Sequence, residues 1–416
     1  MLFFDGMRCK AACRTAVLAL VLSAFGSGWT QRLVWLGQLP GGLESEAFGV
    51  SSDGAVVVGT AIDTNGFRRA FRWTEATGMQ DLGTLGGVLS LATAVSADGE
   101  TIVGYSSDQY GHLVAFRWRN GQMTPLSSLS NVIWSEAYGV SADGSVISGH
   151  SWWGSNFRAA RWEGNTVTNL GTLSGAIASR AWGISANGQV IVGAAFYSSS
   201  GLPEARAVCW IGNTIQVLGT LNGYRRSWAF GASQDGTVIV GFAYADEEGA
   251  PSTSIRWVNG QAQNLGWLPM GGADGSIAYG VSGDGSIVVG NSDGRAYRWT
   301  QAQGMENLNT VYASLLADGS QLQSANAISL DGRYIVGRGY HAASGRTEAF
   351  LLDTAACIAH SGDVDQSSCV DDTDLLAVLF AFGNTGSNLG RVDTNCDRVV
   401  DDADLLLVLF NFGQGC

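Results

Sequence analysis

The sequence predicts a mainly-β protein: a seven-bladed β-propeller closed by an N-terminal strand, followed by a small α-helical domain. Three observations carry that expectation. A unit of about 45 residues recurs seven times between residues 33 and 356. With 58 Gly and 14 Trp in 416 residues and only 14% charged side chains, the composition is that of short strands joined by tight turns. The segment 357–416 breaks the pattern with two acidic runs, each leading into an apolar stretch of helix length. A hydrophobic content of 46% is enough to bury a large core and excludes a disordered chain, and glycine without a triplet period excludes a collagen. The formal net charge is -13 and Lys10 is the only lysine, so no nucleic-acid partner is expected.

The first element is an address. Arg8, Lys10 and Arg14 form a positive region, Thr15 to Phe25 an apolar stretch, and Gly26, Ser27 and Gly28 a small-residue end. Residues 1–28 therefore read as a secretory signal peptide, with Met1 and Met7 as candidate starts. The apolar run is short for a bilayer span, and an uncleaved anchor is the alternative. No later run approaches membrane length. The mature chain is thus expected to be secreted, extracellular or at the cell surface, with no transmembrane span and with cysteines open to oxidation.

The repeats come next. An Asp-Gly or Asn-Gly pair falls at Asp53-Gly54, Asp98-Gly99, Asp143-Gly144, Asn187-Gly188, Asp235-Gly236, Asp284-Gly285 and Asp331-Gly332, at steps of 44 to 49 residues. Such a pair between two apolar runs signals a hairpin, and the type I′ turn expected there takes positive φ at both central residues. The Val/Ile run after each turn, such as Ala55 to Gly59, reads as a strand buried on both faces. An Ala-Phe-Arg-Trp element follows, from Ala70–Trp73 to Ala296–Trp299, with Leu352 in the Trp slot of the seventh copy. A Gly turn and a Leu-Gly-Thr-Leu-Gly-Gly element complete the unit. Each unit holds four short strands and no helical periodicity, and seven such units are the arithmetic of a propeller. The recurring Trp is expected to be a core wedge, its Arg neighbour covering the blade face with its stem. The seventh unit stops at Asp353 without a fourth strand, and Leu33 to Gly42 at the mature N-terminus matches the missing piece. Pairing the two closes the ring and removes its open edge.

The Ala-Phe-Arg-Trp and Leu-Gly-x-Leu-Gly-Gly elements resemble the HAF family of extracellular repeats over about 320 residues, although Arg69 and Val114 stand in the His slot. The resemblance implies an exported protein and no particular activity. The Asp-Gly turns are also similar to sialidase Asp-boxes, but they lack that motif's Trp and offset Gly, so no sialidase function is carried over.

On such a ring the Asp-Gly turns share one rim. The loops between second and third strands, and those between blades, share the other. These loops vary most and carry Tyr110, Trp134, Trp152, Trp153, Phe157, Tyr197, and Tyr224 beside Arg225 and Arg226. Trp134, Trp152, Trp153, Tyr224 and Arg225 are the candidate ligand-binding residues, because an aromatic plane next to Arg suits a polysaccharide, another planar ligand or a protein surface. Ordinary blade packing is the competing reading. No catalytic constellation stands out: the four His occupy unrelated positions, and neither a Gly-x-Ser-x-Gly elbow nor a His-Glu-x-x-His helix is present. Glu44, Glu46, Glu136 and Asp274, read as rim-loop residues, are the candidates for the carboxylate pair that glycoside cleavage requires. The expectation is a protein without catalysis.

Residues 357–416 carry ten Asp against two Arg. Two segments match at a step of thirty residues, starting at Asp363 and Asp393. Positions 1, 3, 5, 9 and 12 of the first loop are Asp363, Asp365, Ser367, Asp371 and Asp374. Those of the second are Asp393, Asn395, Asp397, Asp401 and Asp404. Position 7 offers the backbone carbonyls of Cys369 and Val399. This spacing wraps six or seven hard oxygens around Ca²⁺, so two Ca²⁺ are the expected cofactors. Position 8 is apolar in both loops (Val370, Val400), as suits loops that meet. Leu375 to Phe382 and Leu405 to Phe412 read as helices, capped by Asp371 and Asp401, with Asp372 and Asp402 at the positive helix end. The absent entering helix, Asp rather than Glu at position 12, and the duplication resemble a type I dockerin. The resemblance implies metal-coupled folding and a cohesin-like scaffold or surface partner. Ser368 and Arg398 depart from the Gly expected at position 6. Leu379, Phe380, Leu409 and Phe410 are apolar where dockerins face their partner.

Cys357, Cys369, Cys396 and Cys416 allow three disulfide pairings, bracing a domain too small to rely on its core. Cys209 reads as a buried free thiol. Together these readings predict a secreted binding or display propeller tethered through a calcium-dependent docking domain. The alternatives are a carbohydrate-active propeller enzyme (hydrolase or lyase) delivered by that domain, and a cell-surface structural protein anchored by it.

Overall fold

The computed structural model describes residues 31–416 apart from 131–133, 198–203, 246–250, 270–274, 355–361, 365, 366, 368, 386–388, 390, 391 and 396–398. The predicted signal peptide lies outside the described residues. Arg32–Thr354 form one compact unit, and the chain from Ala355 onward belongs to a second.

The first unit is a seven-bladed β-propeller of four-stranded antiparallel sheets. In blade 1 the strands run Ser45–Val50, Val57–Ile62, Arg68–Thr74 and Gly78–Asp81 from the channel outward. The second strand is buried on both faces, as its unbroken Val-rich run requires. Blades 2 to 6 repeat this order, with innermost strands Gly86–Val95, Ser135–Val140, Ala178–Ile184, Arg226–Ala232 and Ser276–Val281. Blade 7 draws on both ends of the unit. Gln321–Ile328, Tyr334–His341 and Arg346–Asp353 are joined by Arg32–Trp35 as outermost strand, with Arg32 opposite Asp353 and Trp35 opposite Phe350. The closure expected from the repeat count is the closure that forms.

The Asp-Gly turns depart from the type I′ expectation. Only their glycine takes positive φ, 71° at Gly54 and 75° at Gly99. A serine decides the geometry. Gly54 N–H donates to Ser51 O at 3.1 Å, Ser51 Oγ donates to Asp53 Oδ1 at 2.7 Å, and Val56 N–H donates to Ser51 Oγ at 2.9 Å. The same buried serine recurs at Ser96, Ser141, Ser185, Ser233, Ser282 and Ser329, each bonded to the Asp or Asn two residues on. These side-chain bonds supply the turn's partners without a left-handed Asp. Paired positive φ, the type I′ signature, occurs instead at Asn120-Gly121, Asn259-Gly260 and Asp293-Gly294.

A second serine ties neighbouring blades. Ser90 Oγ of blade 2 accepts from Ala70 N–H of blade 1 and donates to Gly83 O. Ser135, Ser179 and Ser227 receive Ala115, Ala159 and Ala207 in the same way. The Ala of the Ala-Phe-Arg-Trp element and the Gly of the Leu-Gly element are therefore inter-blade donor and acceptor. At the closing junction Ala349 N–H donates to Ser45 Oγ, and Ser45 donates to Gly37 O, so the N-terminal segment supplies the acceptor that blade 7 lacks. The recurring Trp is the expected wedge: Trp73, Trp162, Trp210, Trp257 and Trp299 are buried, and Trp118 is half-buried. One stretch departs from the all-strand reading. Between blades 6 and 7, α1 (Leu308–Val311) is capped by Asn307 and followed by a 3-10 turn at Ala313–Leu316. The Asn309 side chain there bonds both the N–H and the C=O of Leu322, pinning blade 7 to this longer connection.

In the second unit α2 (Asp372–Ala381) and α3 (Asp402–Asn411) share a core of Val370, Val378, Val400 and Val408. Asp371 and Asp401 are the N-caps, each in a capping box with Asp374 or Asp404. The backbones of Val370 and Val400 bond to the turn after the opposite helix. Val370 exchanges bonds with Gly413 and Gln414, and Val400 with Gly383 and Asn384. Cys369 and Cys416 form a disulfide. Cys357 and Cys396 lie outside the described residues. Cys209 is a buried free thiol.

Candidate functional site

Each innermost strand carries a bulge. The ladder skips one residue between Ala47 and Gly49, and likewise at Ala92/Ala94, Ala137/Gly139, Ala181/Gly183, Ala229/Gly231, Ala278/Gly280 and Ala325/Ala327. A bulge leaves one residue out of the ladder and re-aims its side chain. The released residues are Phe48, Thr93, Tyr138, Trp182, Phe230, Tyr279 and Asn326. All but one are aromatic or amide-bearing, and Phe48, Thr93, Tyr138, Trp182, Phe230, Tyr279 and Asn326 all line a central cavity of about 690 Å³. The glycine that ends each Val/Ile run sits opposite the bulge. At Gly59 a Cβ would meet Glu46 O at 2.0 Å, and at Gly193 it would meet Arg180 O at 2.0 Å. The repeated Ala and Gly thus exist to let the bulge form.

The cavity changes character along its axis. Near the Asp-Gly rim its wall is Val50, Val95, Val140, Ile184, Val281 and Ile328. At mid-depth Phe230 meets Trp182 edge-on at 5.4 Å and stacks on Tyr279 at 5.9 Å. Charge appears at the opposite mouth, where the innermost strands begin. Glu46 accepts from Asn326 Nδ2 at 3.0 Å and faces Arg338 at 3.6 Å. Glu136 Oε2 accepts from the Tyr138 hydroxyl at 2.6 Å. His150, paired with Glu136 in the ladder, is fully buried, stacked on Tyr138 at 5.5 Å and edge-on to Phe157 at 4.9 Å. Its Nε2 stands 3.5 Å from Glu136 Oε2, and neither ring nitrogen makes a hydrogen bond. Burial first, and Arg180 second, push His150 down to about 3, so the ring is neutral. Burial, reinforced by Glu136, pushes the Tyr138 hydroxyl up.

The structure corrects the placement of the candidate acids. Glu46 and Glu136 lie on innermost strands rather than in rim loops, because those strands start earlier than the apolar pattern suggests. Glu44 is exposed outside any strand, and Asp274 lies outside the described residues. Trp134 and Trp152 come together on blade 3, rings 6.2 Å apart at 28°, with Trp152 N–H donating to Trp134 O. Phe157 meets Trp152 edge-on at 4.9 Å, and Trp153 stands exposed on the same hairpin. Tyr224 instead packs against the core shared by blades 4 and 5, and Arg225 beside it is exposed. The bulge ring went unread in the sequence, although aligning the seven copies puts one variable residue between two small ones in each.

In the tail, Asp374 and Asp404 are fully buried. Asp374 accepts from Val364 N–H at 2.6 Å and Asp371 N–H at 2.9 Å. Asp404 accepts from Asn395 N–H at 3.1 Å and Asp401 N–H at 3.0 Å. Position 12 of each loop therefore folds back over the loop's start and its position 9. Asp365 and Asp397 lie outside the described residues, and among the described residues no three Asp, Glu, His or Cys side chains stand together as a metal-binding group. Leu379, Phe380, Leu409 and Phe410 are exposed, Phe380 to 87%, as are Leu376, Phe382, Leu406 and Phe412.

The chain is similar in structure to an oligogalacturonate lyase from Vibrio parahaemolyticus, at 10% identity and a TM-score of 0.52, over 79% of this chain and 98% of that one. A TolB from Acinetobacter baumannii (12% identity, TM-score 0.41, 85% and 71% covered) and a gluconolactonase from Xanthomonas campestris (12%, 0.39, 80% and 93%) are also similar. At 10% identity the likeness to the lyase shows the propeller fold alone. No family profile and no curated protein matches the sequence. Among the described residues no helix is long and apolar enough to cross a membrane.

Proposed function

We propose that the protein is an exported, non-catalytic binding module. Its propeller takes a ligand at the charged mouth of the channel, and its dockerin-like tail loads two Ca²⁺ and docks the chain onto a cohesin-like scaffold or surface partner. The observation that carries the reading is the bulge ring. Blade packing is served by residues that repeat (Ala, Gly, Ser and Trp), whereas the ring varies from Phe48 to Thr93 to Trp182 on a constant backbone. Variation on a fixed scaffold supports a role toward a ligand. The channel-lining Glu46 is tied by Asn326 and Arg338, and Glu136 on the neighbouring strand end is tied by the channel-lining Tyr138, which suits fixed recognition.

Carboxylates buried as deeply as Asp374 and Asp404 call for positive charge beside them, and Ca²⁺ would supply it. Asp363, Asp365, Ser367, Cys369 O, Asp371 and Asp374 would hold one ion, and Asp393, Asn395, Asp397, Val399 O, Asp401 and Asp404 the other. The matching exposed apolar faces of α2 and α3 would meet the partner. Calorimetric Ca²⁺ titration of the full chain tests this, followed by capture from the source cell envelope with and without chelator. Two ions per chain and chelator-reversible capture are expected, and absence of calcium uptake overturns the docking half. A second reading, a carbohydrate-active enzyme, draws on the two carboxylates of the channel strands. Polysaccharide turnover abolished by Glu46→Gln or Glu136→Gln would replace the binding module with it. Retention on cells after chelation would point to a structural surface protein.

A further inference from the structure

We infer that the ligand of the channel mouth is a neutral oligosaccharide, one sugar stacked on the Trp134–Trp152 platform and the next reaching Glu136. This rests on the binding-module reading and names its ligand class. The platform is joined to the channel wall by packed aromatic rings of blade 3. Trp134 and Trp152 prolong the two inner strands of blade 3 just beyond the pairs Ser135–Ser151 and Glu136–His150. From the indoles the contact passes through Phe157 on the third strand, returns to His150 and Tyr138, and ends on the Glu136 carboxylate.

The platform is set before any ligand arrives. Trp152 Nε1–H donates to Gly154 O at 2.9 Å, which fixes the ring, while Trp134 keeps 39% of its surface open. A pyranose has an apolar C–H face and a hydroxyl edge, and this surface offers an aromatic plane bordered by an acid. Glu136 Oε2 takes the Tyr138 hydroxyl, and Oε1 is the oxygen left for a sugar hydroxyl. His150 beside it is buried with both ring nitrogens lacking hydrogen bonds, an energetic cost of the kind that marks functional sites.

Charge narrows the class. Arg338 already faces Glu46, and Arg180 lies over the Phe157 ring at 4.6 Å. The chain carries a net -13, Glu46 lines the channel, and Glu136 stands behind the channel-lining Tyr138. Among the described residues Arg338 is paired with Glu46 and Arg180 is held on the face of Phe157, so an acidic sugar would meet the Glu46 and Glu136 carboxylates without a cation held out to it, and an acyl chain would leave the acids and amide without partners.

The test is calorimetry on the full chain with hexamers of β-1,4-linked glucose, xylose and mannose. Hexagalacturonate is the anionic comparator, and mass spectrometry of each mixture reads cleavage. At least one neutral hexamer should bind, with hexagalacturonate weaker by tenfold or more. Trp152→Ala should weaken binding by about tenfold, the scale of one lost stacking contact. Trp267→Ala, at an exposed tryptophan that follows blade 5, should leave it unchanged. Circular dichroism confirms that both variants fold. The inference is overturned if no neutral hexamer binds, if hexagalacturonate binds as tightly, or if Trp152→Ala and Trp134→Ala both leave affinity intact. Cleavage of a bound hexamer would instead overturn the non-catalytic reading and leave the sugar class standing.

Discussion

Lowering the pH below 6.5 should destabilise the propeller through His150. Burial and Arg180 hold its folded pKa near 3, whereas in the unfolded chain it returns to about 6.5. The sign follows from which state binds the proton. Above pH 6.5 neither does, and His150 contributes no pH dependence. Between 6.5 and about 3 the unfolded chain takes a proton that the folded chain refuses, so stability falls by about 1.4 kcal/mol per pH unit. At pH 5 the loss is about 2 kcal/mol, a sizeable part of the 5–15 kcal/mol typical of a domain. Glu136 does not rescue the charged ring, because its oxygen at 3.5 Å makes no hydrogen bond to Nε2. The assay is urea unfolding followed by tryptophan fluorescence between pH 7.5 and 4.5. Thirteen of the 14 Trp lie between Trp35 and Trp299 in the propeller unit and none lies in the tail, so the signal is dominated by the propeller. Subtracting the curve of His150→Gln removes the carboxylate titrations common to both proteins. Parallel stability curves for the two between pH 6.5 and 5 would refute a neutral, buried imidazole.

Three further outcomes follow from the geometry. Ser141→Ala strips the buried Val146 N–H of its acceptor and should cost roughly 1–3 kcal/mol in urea unfolding, against less than about 0.5 for the exposed Ser145→Ala. Asp143, held down to about 2 chiefly by that serine, should then titrate nearer the ordinary carboxylate range in an NMR pH series. Deleting residues 32–36 leaves the Arg346–Asp353 strand as an open edge. Size-exclusion chromatography should show dimers or aggregates, and an equally stable monomer would contradict the clasp. Replacing Cys416 by Ser opens a loop spanning 47 residues and should cost the tail about 4 kcal/mol on the chain-entropy account, read as a lower melting temperature of the α2 and α3 helicity.

The fold was legible because its signals were redundant. Seven copies of one unit, a seventh copy missing a strand and the segment from Leu33 carrying that strand agree on one closed ring. The turn type was not legible, because an Asp-Gly pair is compatible with more than one hairpin turn. What decides between them is the serine two residues before the Asp, whose hydroxyl bonds both Asp53 and Val56 N–H in the first copy. The caps of α2 and α3 could be read directly, since an N-cap Asp acts within its own turn. The Cys369–Cys416 pairing could not, because it depends on the C-terminal turn coming back to Val370.

The candidate site was hidden for the opposite reason. Reading a repeat means looking for what recurs, and here the recurring residues are those the fold consumes. Ser90 and Ala70 stitch blades, Trp162 and Trp257 wedge them, and Gly59 yields space to a bulge. Chemistry is carried by the position released from that economy of repetition. At the bulge the backbone is the same in every blade and the side chain is free of ladder and core, so Tyr138, Trp182 and Asn326 can differ without disturbing the ring. The same logic separates Glu136 from the structural acids. The turn position of Asp143 is Asp in six copies and Asn187 in the other, while the place of Glu136 is Glu46 in blade 1 but Leu91, Arg180, Trp228, Ile277 or Ser324 in the rest. In a propeller, then, the residues most informative about function are those at which the copies disagree while their backbones agree.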